Sequence, residues 1–196
     1  MIQRKKPSVL RQSHQSQKTK ILLGDGIKLV TEILEHAQKL VDRFKTRNPF
    51  EIADGLGVEV WQRPLVKLKG FYTYARKSRY IIINSELDEV LKPLVCAHEL
   101  GHDQFHIQLA RYTLWQDVMI SNMSTRPERE ANLFAAELLL SDEAVLEVLD
   151  EDITFFNAAR MLYVPPELLD FKFQILKFKG IRLNAVLNAS SNFLKR

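Results

Sequence analysis

His98-Glu99-Leu100-Gly101-His102 is the stretch on which the reading of this chain turns. An α-helix brings residues four apart onto one face, about one turn from each other, so these two imidazoles can grip one zinc ion. Glu99 stands about 100° around the helix, where its carboxylate reaches the reacting water rather than the ion. Zinc brings the pKa of such a water toward neutrality, and a glutamate so placed takes its proton as it attacks a peptide carbonyl. A lone histidine on an apolar face is more often a hydrogen-bonded core residue. Here Leu91, Leu94, Val95 and Phe105 crowd the face that carries both histidines, and burying two neighbouring imidazoles without a ligand is costly. The pattern predicts His98 and His102 as metal ligands and Glu99 as the catalytic base.

A catalytic zinc needs a third protein ligand and an open fourth position. His106 extends the series, but eight residues along a straight helix is about 12 Å, too far from His98 for one ion. It is expected to be a partly exposed helix residue. No histidine follows it, and no glycine lies between Gly101 and Gly180 to turn the chain back. The better source is the helical segment from Pro127 to Leu139. At about 100° per residue, Ala131, Phe134, Ala135, Leu138 and Leu139 form one apolar sector. Glu128 falls inside it and Asn132 at its edge, while Glu130 and Glu137 fall on the opposite, charged side. A carboxylate that faces the core needs a cation. Glu128 is therefore the expected third ligand, with Glu130 the fallback. Asn132, one turn on, is placed to hold the second ring nitrogen of a ligating histidine. The bland alternative for Glu128 is an acid near the positive end of its helix.

Together the two helices resemble the ImmA/IrrE family of gluzincin-like metallopeptidases. The resemblance rests on Ala97 to His102 and on Glu128 to Leu139, with Gly70-Phe71-Tyr72 and Ile81-Ile82-Ile83-Asn84 upstream, and covers roughly residues 27–178. In gluzincins the third ligand lies four residues before an Asp or Asn, which again implies Glu128 with Asn132. The usual Met-Pro after the paired leucines is absent, and Leu140-Ser141 stands in its place. The resemblance implies a bacterial, phage or mobile-element protein that cuts a partner DNA-binding repressor. An alternative is a non-cleaving module of the same fold that grips a repressor or toxin, although an intact Glu99 is of no use to a pure binder.

The rest of the chain fits a single domain of ordinary composition, with 46% hydrophobic and 27% charged residues in 196. One cysteine, Cys96, excludes an intramolecular disulfide and a cysteine-rich zinc cage; it reads as a small buried hydrophobe in a reducing cytoplasm. The net charge of +4 is uneven. Residues 1–20 carry six basic and no acidic side chains, leaving 22 basic against 24 acidic in the remainder, a net −2. Residues 1–22 are thus expected to be a basic, disordered arm, 23–180 the metallopeptidase domain, and 181–196 a tail. The arm lacks the apolar run of a secretory signal, and no segment is apolar enough to span a membrane.

Apolar steps of three and four from Gly26 to about Thr46 predict an amphipathic helix. Pro49 opens a short one. Strands are expected at Val58–Gln62, Gly70–Ala75 and Tyr80–Asn84, with a turn through Arg76-Lys77-Ser78-Arg79. Ser85 with Asp88 is expected to cap the motif helix, or Pro93 to begin it, and the helix to run to about Leu109. Residues 112–125 read as a loop. Helices follow at Pro127–Leu140, after a Ser141-Asp142-Glu143 cap, and over 152–162 and 165–177. That last pair is helix-turn-helix-like, but it shows no basic recognition face. A packing role is expected and direct nucleic-acid binding is not. The expected fold class is α+β, a small three-stranded sheet packed on a mainly helical, zincin-like body. Tyr72, Tyr74, Tyr80, His106 and Tyr112 are all candidates for stabilising an oxyanion, and the choice among them stays open. His14 and His36 look isolated.

Overall fold

The computed structural model describes residues 10–108, 125–149 and 153–183, with side chains from residue 26 onward. Seven helices and one mixed sheet make up the described residues, in the expected α+β arrangement. Helix α1 spans Leu10–Phe44, so helical backbone reaches back into the stretch expected to be an arm, well ahead of Gly26. Helix α2 is Pro49–Gly55, and Asn48 caps it by accepting the Phe50 N–H at 3.0 Å. The expected loop over 112–125 lies almost wholly outside the described residues, as do Tyr112, most of the tail and the side chain of His14.

The strands are β1 (Val58–Arg63), β2 (Gly70–Ala75) and β3 (Ser78–Asn84), in the order β1-β3-β2. Strand β3 is central, parallel to β1 and antiparallel to β2. It carries Ile81 and Ile83, both fully buried, which suits a β-branched strand packed between neighbours. The turn joining β2 and β3 is tighter than the four-residue stretch expected. Only Arg76 and Lys77 lie between the strands, both at positive φ (50° and 67°), the backbone that a two-residue hairpin requires. At the far end of β3, buried Asn84 ties down the loop that leads into β2. Its Nδ2 donates to Leu65 O (2.8 Å) and Leu68 O (3.1 Å), and its Oδ1 accepts the Leu65 N–H (3.2 Å).

Helix α3 (Leu91–Phe105) carries the motif and packs against the sheet. It starts later than the Ser85–Asp88 cap would have it. Its N-terminal flanking residue is Val90, with no side-chain cap, because a helix accommodates Pro93 only within its first turn. Helix α4 (Arg126–Leu139) lies across α3 at close range. Ala97, Ala131 and Ala135 are fully buried, and a Cβ added at Gly101 would stand 3.0 Å from Ala131 Cα. Small residues at this crossing let the two backbones approach, and Gly101 is there for that approach.

Helices α5 (Asp142–Leu149), α6 (Phe155–Met161) and α7 (Pro166–Phe178) complete the body. Ser141 caps α5 as expected, accepting the Ala144 N–H at 3.1 Å. The α6–α7 pair packs through Phe155 and Phe173, 6% and 3% exposed, with ring centroids 5.4 Å apart. Glu137 departs from expectation. Far from lying on a solvated face of α4, it is buried against α7, where Lys172 Nζ sits 2.7 Å from Oε2 and Lys179 Nζ 2.8 Å from Oε1. The same two lysines pair with Asp142, at 2.6 and 2.7 Å. Nor is His36 isolated. Its Nε2 lies 2.8 Å from Gln104 Oε1, and its ring packs on Phe105 and Phe134, joining α1, α3 and α4. At the other end of α4, Arg47 donates to the carbonyls of Glu137 and Leu138, both at 2.8 Å, where a helix leaves acceptors unsatisfied.

Candidate metal centre

His98 and His102 project from one face of α3 toward the first turn of α4, where Glu128 enters from the other side. Their Nε2 atoms are 3.1 Å apart. Glu128 Oε2 lies 3.2 Å from His98 Nε2, and its Oε1 lies 3.3 Å from His102 Nε2. Among the described residues these three form the one His/Cys/Asp/Glu group that could hold a metal ion, with all ligand atoms within 4.8 Å of one another. A tetrahedral ion with N and O ligands at its usual bond lengths spaces its donor atoms about 3.3–3.5 Å apart. The observed separations match that edge to a few tenths of an ångström. All three side chains are 16–19% exposed, so the cluster meets solvent on one side, as a site with an open fourth position requires.

The chemistry of the donor set agrees with the geometry. Two imidazole nitrogens and two carboxylate oxygens, all electron-pair donors, converge on one point. Burial opposes ionisation of Glu128, but hydrogen bonds and charge from His102 and His98 outweigh it and hold its carboxyl well below the usual range. Burial likewise opposes a charge on His98, yet Glu128 and Glu99 outweigh it and raise the imidazole above its ordinary value. A proton is thus drawn into the place a metal cation would take. The residues present fit the ion.

Glu99 leaves α3 on the adjacent side and is 8% exposed. Burial pushes its carboxyl up, while His98 and His102 pull it down, and the backbone N–H of Tyr72 on β2 donates to it. The close approach of β2 depends on Gly70, since a Cβ there would fall 2.9 Å from the Ile82 carbonyl oxygen and 3.7 Å from Glu99 Cγ. The sheet therefore supplies the wall that holds the expected base beside the ligand cluster. Cys96, on the far side of the same helix, is fully buried, and burial, with Glu99 adding to it, pushes its thiol up to about 12.

Asn132 lies where the pattern placed it, with Oδ1 3.0 Å from His98 Nδ1. Glu130, the fallback ligand, is not in the cluster. Its Oε2 lies 2.9 Å from His106 Nε2, and its Oε1 accepts from Arg126 Nε at 2.7 Å. His106 lies outside the cluster and, at 8% exposed, is buried rather than the partly exposed helix residue expected. Its Nδ1 stands 3.1 Å from His102 Nδ1, and burial lowers its imidazole pKa. The signal for that contact was present in the sequence. His106 follows His102 by four residues and so shares its face, although α3 ends at Phe105. Among the oxyanion candidates, Tyr80 packs edge-on against Trp61 at 5.2 Å, and His106 is committed to His102 and Glu130.

The region that holds this centre resembles a known family. The profile of the Peptidase_M78 family, described as the IrrE N-terminal-like domain, matches residues 53–174, a stretch that takes in the sheet, the motif helix and Glu128. "Uncharacterized immunity region protein 2" of Bacillus phage phi105 is 36% identical over 143 residues, 72% of this chain and 89% of that protein. "Metallopeptidase ImmA" of Bacillus subtilis (strain 168) is 27% identical over 144 residues, 71% of this chain and 83% of that protein. With a metal-competent His-His-Glu cluster inside the matched region, the chain belongs to the ImmA/IrrE family of metallopeptidases, the IrrE N-terminal-like family.

Proposed function

We propose that the chain is a zinc-dependent endopeptidase that hydrolyses a peptide bond in a DNA-binding repressor of a phage, mobile element or stress response. The observation that carries this reading is the convergence of His98, His102 and Glu128 within 4.8 Å, with Glu99 buried beside them on the same helix. Zinc held at these atoms would supply Lewis-acid polarisation of the scissile carbonyl and of a water. Glu99 then acts as general base, taking a proton from the attacking water and passing it to the departing amine. The Tyr72 N–H keeps the Glu99 carboxylate aimed, and the partial exposure of the histidines leaves an approach for an extended peptide. A relative named as a phage immunity-region protein and one named as a metallopeptidase fit proteolysis in that setting, and the family resemblance carries the repressor as the class of substrate. No helix among the described residues is long and apolar enough to cross a membrane. The proposed setting is the cytoplasm, where a repressor is met, and the proposed catalytic unit is residues 23–180.

The test is metal analysis together with co-expression of a candidate DNA-binding repressor, for wild type and Glu99→Gln. One zinc per chain in both proteins, with repressor cleavage lost in the variant by at least about a hundredfold, is the expected result for removal of a general base. Equal repressor loss with both proteins would exclude peptidase action. Intact repressor co-purifying with wild type and variant alike would point to the non-cleaving binder. Glu128→Ala with wild-type zinc affinity would refute the third ligand.

A further inference from the structure

The two histidines that face Glu128 are held from behind in different ways. His98 Nδ1 meets a neutral amide, Asn132 Oδ1, at 3.0 Å. His102 Nδ1 meets an imidazole, His106 Nδ1, at 3.1 Å; that ring's Nε2 lies 2.9 Å from Glu130 Oε2, and Arg126 donates to the other carboxylate oxygen at 2.7 Å. On the reading that His98, His102 and Glu128 hold a metal, we infer that His106 and Glu130 are positioning residues for it. They fix the tautomer of His102, aim its Nε2 at the ion, and carry the charge of a carboxylate to it through an intervening ring.

Proton bookkeeping supports one polarity for this chain. A ligating nitrogen must be unprotonated, so His102 keeps its hydrogen on Nδ1 and donates it. His106 Nδ1 must then accept, which places the hydrogen of that ring on Nε2, where Glu130 accepts it. The remaining Glu130 oxygen takes the Arg126 N–H. Every donor meets one acceptor, and no atom is asked to play both parts. The reverse tautomer of His106 would set two N–H groups against each other at one end and two lone pairs at the other. Burial protects the arrangement, because His106 and the Glu130 side chain are 8% and 12% exposed and water has little access to replace either. Partners behind a ligating histidine typically change metal affinity by about 10–100-fold when removed.

A plainer account is that His106 and Glu130 merely tie the end of α3 to the start of α4. The experiment separates the two by reading zinc affinity and apo stability together. Wild type, His106→Ala, Glu130→Ala and Glu130→Gln are compared by zinc competition against a chromophoric chelator, by cobalt(II) absorption, and by thermal unfolding without metal. Wild type is expected to bind one equivalent. Both alanine variants should bind about 10–100-fold more weakly, with weakened tetrahedral cobalt bands. Glu130→Gln keeps an acceptor of the same shape without the charge and should fall between wild type and Glu130→Ala; being nearly isosteric, it also carries the test if an alanine variant does not fold. Lowered apo unfolding midpoints with zinc affinities within about twofold of wild type would leave only the structural tie and overturn the inference. Failure of wild type itself to bind stoichiometric zinc would instead bring down the metal reading on which the inference rests.

Discussion

Replacement of Lys172 by methionine tests whether the buried charges behind α4 are a lock or a liability. The Lys172 side chain is wholly inaccessible, 2.7 Å from Glu137 Oε2 and 2.6 Å from Asp142 Oδ1. Methionine keeps an unbranched apolar stem, so little cavity is opened and the change is chiefly one of charge. What remains is two carboxylates facing one ammonium, that of Lys179. Breaking a buried pair by removing one partner costs about 3–5 kcal/mol. Lys179 still reaches both acids, and Asp142 is 24% exposed, so the lower end of that range, about 3 kcal/mol, is expected. A domain of this size commonly has about 5–15 kcal/mol in all. The loss should lower the thermal midpoint by about 6–12 °C. Urea unfolding followed by circular dichroism would show a shifted midpoint at an unchanged slope. Adding Glu137→Gln to Lys172→Met removes the surplus negative charge and should recover most of the loss. A single variant within about 0.5 kcal/mol of wild type, or a double variant no better than the single, would refute the reasoning.

Two of these charges, Asp142 and Lys179, set a pH window. Burial would raise the Asp142 carboxyl, but Lys172 and Lys179 outweigh it and hold it below its ordinary value. Its contribution is complete above the unfolded pKa of about 3.9 and is lost as pH falls through the lower folded value. Burial would lower the Lys179 ammonium, but Asp142 and Glu137 outweigh it and hold it above. That contribution is complete below about pH 10.4 and is lost as pH rises through the higher folded value. Denaturation measured across pH should therefore show Asp142→Asn flattening the acid limb and Lys179→Met the alkaline one; variants with unaltered limbs would contradict the assignment. Gly101→Val places a branched Cβ at 3.0 Å from Ala131 Cα and 3.2 Å from Phe134 Cδ1. It should cost about 1–3 kcal/mol by overpacking and weaken zinc binding as Glu128 is pushed from the histidines. Wild-type zinc affinity in a folded Gly101→Val protein would show that this approach does not set the ligand geometry.

Helix periodicity alone placed His98 and His102 on one face and put Glu99 beside them, because four residues make about one turn whatever surrounds them. It also marked Glu128, since a carboxylate inside an apolar sector stands out on a single helix. The small sheet was legible in its β-branched and aromatic runs, although its mixed order, β1-β3-β2, was not. Local pattern did not reach the lateral partners. Glu130 and Glu137 both plot on the charged side of α4, yet the first meets His106 at the end of α3 and the second meets Lys172 on α7 and Lys179 just past its end. His36 looked isolated along the chain and proved to join three helices. A helical wheel describes the faces of one helix and says nothing of which neighbour lies against each. The placing of His98, His102 and Glu99 was therefore a matter of sequence spacing. That Glu128 and not Glu130 meets the two histidines, and that His106 backs His102, were decided by how closely α3 and α4 pack, and the burial of Glu137 by how α4 packs on α7, distances that exist only once the chain has folded.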